Sequence, residues 1–115
     1  MLEGATLAFT GAAPPPLLGQ LGLARADDGF LAVDRRMVSL SRSDVLAVGA
    51  AATHEADPRP KAGVFAVRSG PPLARAITAM AAGRAPPPVT LQRQGLVLLA
   101  TGRKSAIGVR NGVVL

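Results

Sequence analysis

The sequence predicts an α/β chain: a mixed helix–strand segment followed by a small antiparallel β-meander. Three observations predict it. Short apolar runs that close on turn residues, Ala5–Phe9, Phe30–Val33 and Val45–Val48, have the length of buried strands. Between Lys61 and Gly83 the apolar residues take up helical spacing. From Leu96 onward, three strand-like runs alternate with turn residues, and Asn111-Gly112 is the strongest short hairpin signal in the chain.

The elements follow in order. Ala5–Phe9 closes on Thr10-Gly11 and reads as a strand ending in a tight turn. Pro14-Pro15-Pro16 comes next, and proline is well tolerated at the first position of a helix, so Pro16 opens a short helix over 16–23. Leu17, Leu18 and Leu21 form its inner face. Asp27-Asp28-Gly29 is a turn, Phe30–Val33 a second strand, and Asp34-Arg35-Arg36 its break. Ser41–Asp44 is polar and reads as a turn. Val45–Val48 is the third strand, ended by Gly49. Ala50–Thr53 has the propensity to start a helix, and His54–Pro60 is a loop. A helix starts near Lys61 or Ala62 and carries Val64, Phe65 and Val67. Gly70-Pro71-Pro72 kinks or breaks it, because proline removes a backbone donor and crowds the preceding turn. Leu73, Ile77, Met80 and Ala81 continue at helical spacing to Gly83, which sits where a helix-ending glycine belongs. Residues 84–88 are linker-like, and the runs 96–100, 105–109 and 113–115 form the meander.

Composition narrows the function. At 115 residues the chain is one domain at most. With 13 Gly, 10 Pro, three Phe and no Trp or Tyr, its core is alanine-rich and thin. The absence of cysteine excludes disulfides, thiolate metal sites and a redox CxxC. The net charge of +6 is spread along the chain without interleaved aromatic residues, which argues against nucleic acid as a partner. The one histidine, His54, lies beside Glu55 and Asp57. No nucleophile motif accompanies it, and three potential ligands on one loop make a poor metal set. No catalytic and no metal-ligating residue is therefore assigned.

Phosphate or cofactor binding is the better-supported chemistry. Neither GxxxxGK[ST] nor GxGxxG occurs. Instead, an apolar run ends on Gly49, small residues follow, and a helix begins near Lys61-Ala62-Gly63. In open parallel sheets, ligands lie beyond the carboxyl ends of strands, and helix N-termini favour anionic or electron-rich groups. The same layout also serves as a plain packing turn, and the residues alone leave both readings open.

The segments SDVLAVGAAAT, RPKAGVFAVRSGPPLARAI and LQRQGLVLLATGRKSAIGVRNGV resemble the carboxy-terminal part of the FAD-dependent pyridine nucleotide-disulfide oxidoreductases. The resemblance is to their type II NADH dehydrogenase-like branch, including the flavoprotein module found fused to selenide, water dikinase. LAFTGAAPP resembles the turn that closes the NAD-binding domain in that family. The resemblance covers nearly the whole chain, and PKAGVFAVRSGPPL is its most specific part. It implies the end of an NAD(P)-binding domain over 1–29, the carboxy-terminal part of a Rossmann-like FAD-binding domain over 30–85, and the start of a small β domain over 86–115.

By position, the resemblance places Thr10 and Gly11 near the nucleotide-domain crossover. It places Gly49 at the flavin's ribityl chain, and Lys61, Ala62, Gly63 and Val64 at the flavin's pyrimidine edge. Ala50 stands where the family pattern has an aspartate, and losing a charge-assisted hydrogen bond of that kind costs about 1.5–3 kcal/mol. The implied cofactor is FAD, with NAD(P)H as hydride donor and a quinone-like or other acceptor. The implied partner is an amino-terminal portion carrying the glycine fingerprints, without which the chain is expected to be inactive. The implied location is cytoplasmic, with peripheral contact at the inner face of a membrane. The rival expectation is a small basic interaction module without a cofactor.

Overall fold

The computed structural model describes residues 4–110 and 112–114. The chain is mixed α/β, with one four-stranded mixed sheet and one three-stranded antiparallel sheet. Asn111 and Leu115, parts of the expected last turn and strand, lie outside the described residues.

The expected first strand does not form. Residues 5–9 belong to no strand and have no sheet partner among the described residues, and Leu7 and Phe9 are 74% and 93% exposed. Apolar sequence makes a strand only where another strand supplies ladder hydrogen bonds, and none of the described strands runs beside it. Helix α1 (Pro16–Gln20) opens with proline in its first turn as expected, but it is shorter. Leu18 alone is buried, whereas Leu17 and Leu21 face outward.

Residues 24–26 run back against 30–32, closed by the Asp27-Asp28-Gly29 turn, in which the Asp28 carboxylate accepts the Phe30 N–H. Strand β1 (Leu31–Val33) is buried throughout. Asp34 then organises the reversal, its Oδ1 accepting the N–H groups of Arg36 and Val38. Met37 completes the turn at φ 65° with its side chain fully buried. Strand β2 (Val38–Ser39) pairs antiparallel with β1 and with β3 (Arg42–Leu46).

Strand β3 begins inside the stretch that reads as a turn. The reversal is tighter and earlier, at Leu40-Ser41, with Ser39 paired to Arg42 and the two serine hydroxyls bonded to each other. Polar Arg42 and Asp44 are compatible with a strand because β3 is an exposed edge, where they form an ion pair at 2.6 Å.

After a 3₁₀ turn at Gly49–Ala51, the chain crosses to the other side of β1 and forms β4 (Ala52–His54), parallel to it. Helix propensity loses here to tertiary pairing: Ala52, Thr53 and His54 register with Leu31, Ala32 and Val33. The sheet order is β3-β2-β1-β4. The strand leading to Gly49 is thus an antiparallel edge strand, and the one parallel pair is β1–β4.

Helix α2 (Gly63–Arg68) starts where the sequence places it, and Ser69 separates it from α3 (Gly70–Ala81), as the Pro71-Pro72 pair requires. Helix α3 buries Ala76 and Ala79 and half-buries Leu73 and Met80, while Ile77 faces out. Gly83, at φ 69°, ends it: Arg84 N–H bonds to Ala79 O and Gly83 N–H to Met80 O, the Schellman pattern. The meander comprises β5 (Val97–Gly102), β6 (Ser105–Arg110) and β7 (Val113–Val114). The main core gathers Leu18, Phe30, Leu31, Val33, Ala47 and Ala52 around β1. Among the described residues, no helix is long and apolar enough to cross a membrane.

Candidate functional site

Helix α2 stacks on the Gly49 turn. Gly49 sits at φ 64°, and a Cβ there would lie 3.1 Å from the Ala66 Cβ, so both the backbone conformation and the close approach select glycine. Beside this contact, the loop before α2, the α2–α3 corner and the returning residues 89–92 enclose a cleft of about 350 Å³. That is the lower end of the ~300–1,000 Å³ usual for small-molecule sites. Phe65, Pro71, Pro72, Ala52 and Leu91 supply its apolar lining. Its charged lining is cationic: Arg59, Lys61, Arg68 and Arg75, with no carboxylate among the lining residues.

These four cations differ in what they already hold. Arg59 pairs with Asp57 and donates through Nε to Gln92 O at 3.0 Å, tying the loop to residues 91–92. The Asp57 hydrogen bond pushes the Arg59 guanidinium further up and holds the Asp57 carboxyl below its ordinary range. Lys61 is largely buried. Its Nζ donates to Ala52 O and, at 2.6 Å, to Thr53 Oγ1, which in turn donates to Asp28 Oδ2 at 2.6 Å. The ammonium also lies 4.1 Å from the centre of the Phe30 ring. Burial lowers the Lys61 pKa, with the Asp28 carboxylate working in the opposite direction. Arg68 and Arg75, by contrast, have no hydrogen-bonded or ion-pair partner among the described residues.

His54 belongs to β4 rather than to a solvated loop. It is half-buried, its Nδ1 lies 3.2 Å from Asp34 O, and it lines the cleft. Burial lowers its pKa, the Asp34 carbonyl partly opposes this, and the Arg59 charge adds to the lowering, so the charged form of the ring is disfavoured. Among the described residues, Gln92 Oε1 in the cleft lining is buried without a hydrogen-bond donor.

The structure brings together Gly49, Lys61 and Ala62 in this cleft. Gly63 and Val64 line an adjacent groove with Gly95, Leu96, Val97 and Leu98. Their N–H groups have no acceptor among the described residues. Ala50 is exposed on the 3₁₀ turn, and neither it nor Thr10 nor Gly11 lines the cleft. Sequence reasoning missed Arg59, Arg68, Arg75 and Gln92. One signal for the arginines was present: after Asp57 the chain contains nine Lys and Arg and not one Asp or Glu. Among the described residues, no group of three or more His, Cys, Asp or Glu is placed to hold a metal ion.

Comparison of the chain with protein-family models, with curated proteins and with solved structures finds no match.

Proposed function

We propose that this chain supplies one wall of the flavin site of a FAD-dependent NAD(P)H oxidoreductase. The observation that carries the reading is the convergence of Gly49, Lys61 and Ala62 on one cleft, against Phe65 and with no opposing carboxylate. The residues present suit part of such a ring. Its pyrimidine edge offers carbonyl oxygens and one N–H. The free N–H groups of Gly63 and Val64 at the α2 start are donors for the former, the orphaned Gln92 Oε1 is an acceptor for the latter, and Lys61, whose ammonium is held by Ala52 O and Thr53 Oγ1, supplies positive charge. Helix α2 has only six residues, so local N–H groups rather than a long helix dipole would do this work.

When bound, FAD would take hydride from NAD(P)H and pass electrons to a quinone-like or other acceptor. This chain's residues would orient the ring and exclude water from one side. On this reading residues 1–29 close an NAD(P)-binding domain, residues 30–85 belong to a Rossmann-like FAD-binding domain, and residues 86–115 open a β domain. A GxGxxG-bearing segment must complete the site, since this sequence has none. The exposed Ala50 adds no polar anchor.

The test extends the coding region upstream of Met1 to include any in-frame GxGxxG segment. The extended protein is expected to be yellow and to be bleached by NADH. A colourless extended protein that leaves NADH unconsumed overturns the reading. That outcome would favour the second one, a basic interaction module without a cofactor, for which the carboxylate-free stretch after Asp57 is the supporting observation.

A further inference from the structure

We propose that the end of the cleft bounded by Arg68 and Arg75 is an anion subsite, taking the carboxylate or phosphate of a small planar ligand whose body lies against Phe65, Pro71 and Pro72. Arg68 closes α2, whereas Lys61 precedes it. Helix α2 spans six residues, about 9 Å at 1.5 Å of rise per residue, so the backbones of the two cationic residues lie at its opposite ends. The cleft therefore has two cationic ends with different duties. At one end, the Lys61 ammonium is already engaged by Ala52 O, Thr53 Oγ1 and the Phe30 ring. At the other, the guanidiniums of Arg68 and Arg75 come from two helices, line one cavity and hold no acceptor among the described residues.

Three observations define the ligand. No carboxylate lines the cleft and none occurs in the sequence after Asp57, so nothing nearby on that part of the chain neutralises the pair. The cleft volume of about 350 Å³ is of small-molecule size. Phe65, Pro71 and Pro72 line the cleft, apolar side chains that suit an aromatic body, and the Arg forks suit planar carboxylate or phosphate groups. The subsite goes beyond the flavin reading and does not require it.

The test uses the ¹⁵N-labelled full chain with three probes of one shape: 2-naphthoate, 2-naphthyl phosphate and neutral 2-naphthamide. Both anions are expected to shift the amide signals of Arg68, Ser69 and Arg75, with the amide binding about tenfold more weakly, as one charge-assisted hydrogen bond implies. R68Q and R75Q should each weaken the anions by about tenfold and leave naphthamide unchanged, while R84Q and R103Q, outside the cleft, should change neither. Raising the salt concentration should weaken the anions only. A preference for naphthoate over naphthyl phosphate, or the reverse, tells which anionic group the subsite takes. Equal binding of naphthamide, insensitivity to R68Q and R75Q, or shifts confined to the meander strands overturns the proposal. The flavin reading fails or stands separately: a colourless extended protein whose cleft still takes naphthoate through Arg68 and Arg75 refutes that reading alone.

Discussion

Lys61 shows how a single side chain joins core and site. Its ammonium links β4, through Thr53, to the Asp28 turn. K61M should remove those bonds and leave Ala52 O and Thr53 short of a donor, lowering stability by about 1–3 kcal/mol, read as a shift in urea midpoint; K61R should recover part of it. Gly49 is constrained twice, by φ 64° and by the Ala66 side chain, and G49A should cost about 2 kcal/mol in the same measurement. His54 makes stability depend on pH. Its folded-state pKa lies below the ordinary 6.5, so below that value the unfolded chain binds more protons than the folded one. Stability should therefore be full above about pH 6.5 and fall as the pH drops toward the lowered folded value. H54Q should flatten the slope, and an equally steep profile in H54Q would count against the assignment. Gln92 was not legible as a site residue because only the chain's return at 89–92 makes it a neighbour of the α2 cleft.

At the scale of elements, those with a local cause were legible. Helix α3 stops at Gly83, the break at Ser69 follows from two prolines, and the meander follows from its strand runs and turns. The β5–β6 turn is a two-residue loop in which Arg103 and Lys104 both take positive φ, 42° and 59°. Asn-Gly is the pair that geometry favours, so R103N/K104G should stabilise the hairpin by about 1 kcal/mol, measured by thermal unfolding. The elements that failed were those with a tertiary cause. Residues 5–9 lack a partner strand, β3 begins at polar residues tolerated on an open edge, and β4 exists because β1 offers a parallel neighbour.

The whole molecule is extended: its radius of gyration is 17.3 Å, against about 13 Å for a compact chain of this length. The meander explains part of the excess apolar surface. In its registers, Val97, Val109 and Val114 share one face with Leu99 and Ile107, and Leu99 remains 63% exposed. A continuous apolar face of this kind drives association. The chain alone should self-associate as concentration rises, and L99E/I107K, which replaces a directly opposed apolar pair with opposite charges, should reduce the mass seen by light scattering without altering the far-UV circular dichroism. An unchanged mass would show that association runs through another surface.

What the sequence determined by itself is the mixed α/β character, the position of α2 and α3, and the meander. These depend on spacing, proline, glycine and turn chemistry, which act over a few residues. Only the tertiary structure decided the sheet order β3-β2-β1-β4, the strand at Ala52–His54, and the meeting of Lys61, Arg68, Arg75 and Gln92 around one cleft. Those depend on partners far along the chain, and a pairing is stable only when both sides are in place to share hydrogen bonds and exclude water.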